Sequence, residues 1–218
     1  MDPLTRAITS AHLEAVPLFP LPQASFFPHT MLPLHVFEPR YKAMVAWCLE
    51  HRWPLAVVAI RSGHESEQRG EPPLTLVGGI GHIVHHELLD DGRYHMLVHG
   101  RERVRLHEIV SDRAHPWRLA EAELMPDEGA AGAGDVVALQ ACLRALAQKW
   151  PKGAPLLSNL LEHAPDAAAL ANGAGAFLLP DHVARQEHLE ERDVAQRLQT
   201  VLERVTTMLA QLEEGELH

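Results

Sequence analysis

Sixteen histidines among 218 residues are the first side chains in this chain that could do chemistry, because imidazole both titrates near neutrality and ligates metals. Five of them, His82, His85, His86, His95 and His99, fall on two extended segments joined by Asp91-Gly92. Read as a two-residue type I′ turn, Asp91-Gly92 sets His99 opposite Val84 and His95 opposite Leu88. That register puts His82, His86, His95 and His99 on one face and Ile83, Leu89, Tyr94, Met96 and Val98 on the other. His82 and His86 are then about 13 Å apart along one strand, too far for a shared ion, while the diagonals from His99 are about 7 to 8 Å. A bulge at the neighbouring glycines would close the gap. His82, His86 and His99 are therefore the metal-ligating or pH-sensing candidates, weighed against a plain solvated polar face.

Other reactive groups have less to offer. Cys48 and Cys142 lie on apolar helical stripes, which suits buried thiols better than nucleophiles, and two cysteines make no disulfide framework. Ser158 follows Lys152 without the signature of a Ser-Lys peptidase. None of Lys42, Lys149 and Lys152, the only lysines, follows a glycine, which excludes a Walker A phosphate cradle. G-x-G-x-x-G, G-x-S-x-G, H-E-x-x-H and C-x-x-C are missing as well. No catalytic residue and no cofactor is assigned.

Charge narrows the partners. Lysine and arginine total 19 against 29 acidic residues, a net −10, which disfavours nucleic acid and anionic membrane because phosphate binding needs a basic footprint. Met1 to Arg6 lacks the apolar run of a secretory signal. The longest weakly polar stretch, 167–179, carries Asn172 and two glycines and is shorter than the ~18 residues of a span. A cytoplasmic protein with no membrane partner is expected. With 46% hydrophobic and 22% charged residues the composition is that of a folded chain.

The elements that must position these groups fall into two parts. Leu55 to Ile60 is a continuous apolar run bounded by Pro54 and Ser62-Gly63, which predicts a strand buried on both faces. Leu74 to Leu89 is a longer extended region in which Gly78, Gly79 and Gly81 predict a bulge or bend. Ile83 to Leu89 and Tyr94 to Val98 form a hairpin. Val104, Leu106 and Val110, then Arg118, Ala120, Ala122 and Leu124, keep a period of two. Tyr41, Met44, Val45, Cys48 and Leu49 make one stripe of a helix started by Pro39. After 126–135, a Gly/Ala-rich stretch with nothing to bury, the pattern turns helical: 135–150, 156–163, 167–178, and a long stripe after Asp193 from Val194 to Leu212. The expected organisation is α+β, with a β-rich subdomain over 14–125, a linker over 126–135 and a helical subdomain over 136–213.

Several of these elements carry a family resemblance. Val16-Pro17-Leu18-Phe19-Pro20-Leu21, Phe27-Pro28 and Pro33-Leu34-His35-Val36-Phe37-Glu38-Pro39-Arg40-Tyr41 resemble the opening of the LON substrate-binding domain. Val77-Gly78-Gly79-Ile80-Gly81 resembles its glycine-bearing strand, and Leu97-Val98-His99-Gly100-Arg101-Glu102-Arg103 its L-V-x-G-x-x-R strand end. Gln186, Leu189, Glu190, Asp193, Arg197 and Leu198 match its Q-x-x-L-E and D-x-x-x-R-L spacing. The resemblance covers residues 14 to 212 and implies a PUA-like β pseudo-barrel with one packed helix, followed by a C-terminal α-helical bundle.

By the same resemblance, the function to expect is a stand-alone module that binds unfolded or specific polypeptide clients. A separate ATP-dependent protease is a candidate partner. The ATPase and Ser-Lys peptidase modules of Lon proteases do not follow within the 218 residues, so no catalysis is expected. Phe19, Phe27, Phe37 and Tyr41 either line a peptide groove or fill the barrel core. An alternative is a PUA-like RNA-binding or small-ligand-binding protein, for which Arg101, Arg103 and Arg105 are the one short basic cluster.

Overall fold

The structure, a computed structural model, describes residues 6–67, 70–110 and 114–214. Met1 to Thr5 of the opening and Gln68 and Arg69 of the Ser62 to Pro73 gap lie outside the described residues. The fold is mixed α+β, and the chain divides into two compact units at Pro126/Asp127.

The first unit contains α1 (Ser10–Glu14), β1 (Val16–Pro22), β2 (Met31–Val36), α2 (Pro39–His51), β3 (Leu55–Ile60), β4 (Val77–Leu88), β5 (Tyr94–Val110) and β6 (Leu119–Leu124). Strand order is β2-β5-β4-β3-β1-β6, and β6 pairs with β5 as well as β1. Val16 faces Ala120 at one contact and Val104 faces Leu124 at the other. The ladder therefore returns on itself, and among the described residues β2 is the one strand of the sheet with a single partner.

β1 and β3 pair in parallel, from Leu18↔Ala56 to Pro22↔Ile60. Both strands feed two cores, which is why their sequences are apolar throughout rather than alternating. Phe19, Leu55 and Val57 pack with Tyr41, Met44, Val45 and Cys48 of α2. Val16, Leu18, Ala56, Val58 and Ile60 pack with Ile80, Val104 and Leu106 on the other side. Burying each such side chain is worth about 1.5 to 3 kcal/mol. Pro39 starts α2, and Arg52 ends it in a left-handed conformation at φ 55°.

The β4–β5 hairpin exists, but its register differs from the two-residue turn. Leu88 pairs with Tyr94, Leu89 N–H donates to the Arg93 carbonyl, and Gly92 stands at φ 76°. This is a three-residue loop with glycine at the left-handed position. That loop sets His86 opposite Met96 and His85 opposite Leu97, and the register shift at Ile83/His85 then sets His82 opposite His99, with a second shift at Ile80/Gly81. The turn dipeptide fixes neither its own length nor the bulges downstream.

Four glycines, Gly78 against the Val57 carbonyl among them, admit backbone where a side chain cannot fit. A Cβ on Gly79 would collide with the Phe26 carbonyl, and one on Gly100 with the Phe27 carbonyl. On Gly81 it would collide with the carbonyl of His99. The segment before β2 thus lies with its main chain directly on β4 and β5, secured by His29 N–H to the Gly100 carbonyl and Gly100 N–H to the Thr30 carbonyl, both 2.9 Å.

The second unit contains α3 (Ala133–Lys149), α4 (Ala154–His163), α5 (Ala167–Leu178), α6 (His182–Glu190) and α7 (Val194–Glu213). Leu139, Leu143 and Leu146 of α3 meet Leu157, Leu170, Leu178, Leu198, Val201, Val205 and Met208 in one core. Asp166, Asp181 and Asp193 cap α5, α6 and α7 through N–H bonds from Ala169, Ala184 and Gln196. Gly173 and Gly175 do not break α5. They give room to Leu160 of α4 and the His188 ring of α6.

The expected linker is in part anchored within this unit. Glu128 N–H donates to the Arg192 carbonyl and Val194 N–H to the Glu128 carbonyl, at 2.8 and 3.0 Å. Asp127 Oδ1 takes a 2.7 Å bond from Nη1 of Arg197, whose side chain is fully buried. Helix α3 already begins at Ala133.

Replacing Gly100 by Ala forces backbone apart and is expected to cost about 3 kcal/mol or more in urea unfolding. Gly63→Ala, at φ +89° with open space around it, costs only about 1 kcal/mol. Asp127→Ala strands the buried Arg197 charge and costs about 3 to 5 kcal/mol, most of which the double variant Asp127→Ala/Arg197→Met recovers.

Candidate functional site

The outward row of β2 and the residue after it, Met31, Pro33, His35 and Phe37, is exposed along its length. Phe37 is 59% exposed and Met31 46%, while Val36 is buried and Leu32 and Leu34 pack half-buried on the first core. β2 pairs with β5 alone among the described residues, which leaves its other edge free beside this row. The register continues the row inward: Pro33 pairs with Leu97 and His35 with His95, which pairs in turn with Glu87. His35 and His95 meet edge to face with ring centroids 4.8 Å apart, and His35 reaches Phe37 at 6.0 Å.

Phe19, Tyr41, Leu21, His35, Phe37 and Glu38 line a small concavity of about 40 Å³ at the end of that row. Of the four aromatic candidates, Phe37 alone offers a broad exposed surface. Phe19 and Tyr41 are 4% exposed and stack on one another at 4.6 Å, and Phe27 is fully buried. Glu38 and Arg40 pair at 3.1 Å beside them. The Arg40 guanidinium lies 4.6 Å over the Tyr41 ring and donates to the Gly70 carbonyl. Burial pushes the Tyr41 phenol above its ordinary range.

Of the four histidines expected on one face, His86 leaves it. His95 lies on the exposed face with His85, whereas the three-residue loop gives His86 to the register of Met96. His82 pairs with His99 and is buried, at 1% exposure. His82 and His86 both line a pocket beside the end of α2. Among the described residues no three His, Cys, Asp or Glu side chains converge on a point that would hold a metal ion.

Burial, and then the cations Arg6, His12 and Arg101, hold His82 down to about 4. Burial, Arg101 and His29 lower His99 as well. Burial pushes the Cys48 thiol up to about 12, which makes it inert.

Arg101, Arg103 and Arg105 are not a basic stripe. The register shift between Ile80/Gly81 sets Gly100 and Glu102 as successive partners, leaving Arg101 as the extra residue of a bulge. Arg103 is 2% exposed, Arg101 is half-buried and Arg105 is exposed. A buried guanidinium cannot track a phosphate backbone.

The unfolded chain protonates His82 near 6.5, whereas the fold holds it neutral down to about 4. The unfolded state therefore binds the extra proton in that window. Stability from this group is complete above pH 6.5 and falls by at most about 3 kcal/mol as the pH drops to 4. His82→Gln should flatten that part of the profile in urea unfolding at pH 7 and pH 5.

Comparison with known proteins sets the site in a family. The profile described as the ATP-dependent protease La (LON) substrate-binding domain matches residues 15–207. Lon protease 2 of Syntrophobacter fumaroxidans is 30% identical over 203 residues, which is 92% of this chain and 25% of that protein. Lon protease 2 of Herpetosiphon aurantiacus is 27% identical over 95% of this chain and 25% of its own. The chain thus spans about a quarter of the length of these relatives.

Two solved structures share the fold. A Lon N-terminal domain protein from Xanthomonas campestris has a TM-score of 0.64 at 22% identity, covering 87% of this chain and 97% of that one. The N-terminal domain of a Mycobacterium avium complex Lon protease has a TM-score of 0.66 at 17% identity, covering 88% and 98%. The motifs that keep their order from Val16 to Leu198, the fold shared with Lon N-terminal domains and the profile match over most of the chain agree, and the protein belongs to the LON substrate-binding domain family.

Proposed function

We propose that this protein is a non-catalytic recognition module that holds extended, apolar segments of polypeptide clients and acts in the cytoplasm as an adaptor for an ATP-dependent protease. The family name supports the substrate class, since the matching profile is that of a substrate-binding domain. The ladder that returns from β6 to β5 supports a PUA-like pseudo-barrel as its frame.

The observation that carries the reading is the exposed row Met31, Pro33, His35 and Phe37, with Phe37 59% exposed beside the Phe19–Tyr41 concavity. A side-chain row at every second residue matches the two-residue repeat of an extended client. Pro33 lacks an N–H and interrupts main-chain pairing on that edge, so recognition falls to side chains. Apolar segments are buried in folded proteins and exposed in unfolded ones, which gives the surface its selectivity.

The test is fluorescence anisotropy of a labelled, chemically unfolded protein against the full chain. Phe37→Asp is expected to weaken binding about tenfold or more at unchanged melting temperature. Val183→Asp, at a residue 50% exposed in the helical unit, leaves binding as it was. Equal affinity of the Phe37→Asp variant and the parent would overturn this surface. For the adaptor role, addition of the chain should speed degradation of the same client by a separate Lon-type protease, and Phe37→Asp should abolish the gain.

A further inference from the structure

A second, chemically different site lies on the first unit. The pocket beside the end of α2 has a volume of about 200 Å³ and is lined by Arg6, Arg52, His82 and His86 together with apolar groups such as Leu49 and Trp53. No carboxylate lines it among the described residues, in a chain whose net charge is −10. His82 is 1% exposed, and among the described residues neither ring nitrogen has a hydrogen-bond partner of good geometry. The Ala7 backbone approaches the ring, but it can satisfy at most one of the two nitrogens. A buried imidazole nitrogen left unmatched on a pocket wall is costly unless something arrives to meet it.

We infer that this pocket binds a carboxylate carried on an apolar residue-sized group, the chemistry shared by the C-terminal end of a polypeptide and by a small free acid. The two guanidinium groups supply charge-assisted donors of fork geometry. Arg6 already gives one N–H to the Arg52 carbonyl at 3.2 Å. This offsets the negative end of α2 and leaves further donors on the same guanidinium. His82 is neutral at pH 7 because its pKa is held to about 4, so it carries no charge and a single N–H, which either the Ala7 carbonyl or the ligand carboxylate can take. Leu49 and Trp53 face the apolar part of the ligand. This site shares no lining residue with the outward row of β2, so either can fail without the other.

The experiment titrates the full chain with N-acetyl-leucine, N-acetyl-leucine amide, a short peptide ending in leucine with a free carboxylate, and the same peptide amidated. Calorimetry reads affinity, and NMR of the imidazole nitrogens of His82 and His86 reads location. The acid is expected to shift the His82 signals and to bind at least about tenfold more tightly than its amide. Arg6→Ala, and Arg52→Asn, which tolerates the left-handed backbone, should each weaken the acid about tenfold at unchanged melting temperature. Binding of the free-carboxylate peptide as well as the acid assigns the site to chain termini, and binding of the acid alone assigns it to small free acids; both uphold a carboxylate site. Equal response to acid and amide, no response to either, or unchanged affinity in both arginine variants would overturn it.

Discussion

The direct contact of main chain with main chain at Gly79 and Gly100 is the constraint on which the first unit depends. There the carbonyls of Phe26 and Phe27 occupy the space of a side chain. Seated in that way, the segment buries Phe26 and Phe27 almost completely and delivers the chain to β2 at the correct height. β2 can then pair with β5 from Met31↔His99 to Val36↔Tyr94. With β2 in place, Pro39 begins α2 over Phe19, Leu55 and Met96. The surface that carries Phe37 is a consequence of two missing methyl groups on a different part of the chain.

Electrostatics is handled differently in the two units. In the second, Arg197 is buried against the Asp127 carboxylate and the Glu191 carbonyl, at 2.7 and 3.0 Å. This fixes the first residues after the division to the start of α7. Such a pair adds more specificity than stability, because desolvation offsets much of its attraction. In the first unit the cations Arg6 and Arg52 gather around one pocket, and the buried ring of His82 beside them stays neutral.

What the sequence makes legible follows the strength of local signals. The uninterrupted run at Leu55 to Ile60 and the stripe from Val194 onward could be read directly, since burial on two faces and on one helical face leave different periodicities. Asp91-Gly92 marks the hairpin, but Gly92 takes the third loop position. That one-residue difference and two bulges move His86 to the register of Met96, leave Arg101 as the odd residue of a bulge, and undo any face argument built on strict alternation. α6 is hard to see because its stripe is short and polar, although Asp181 caps it. The pocket around Arg6 and Arg52 joins residues far apart in sequence, and no spacing rule connects them. Of the aromatic candidates, the motif identifies the right neighbourhood at Phe37 and cannot separate it from Phe27, because exposure is decided by what packs above each ring.

The double pairing of β6 also bears on how the chain is made. β1 emerges from the ribosome before its partners on both sides, β3 at Leu55–Ile60 and β6 at Leu119–Leu124, the second about a hundred residues on. Until Leu124 has appeared, neither the β1 edge nor the far half of β5 is covered. Closure by distant segments is slow, because loop entropy must be lost before the contacts reward it. During translation the apolar first strand is therefore an open template for unwanted pairing. Its three prolines, Pro17, Pro20 and Pro22, remove donors from that template over the interval when it has no partner.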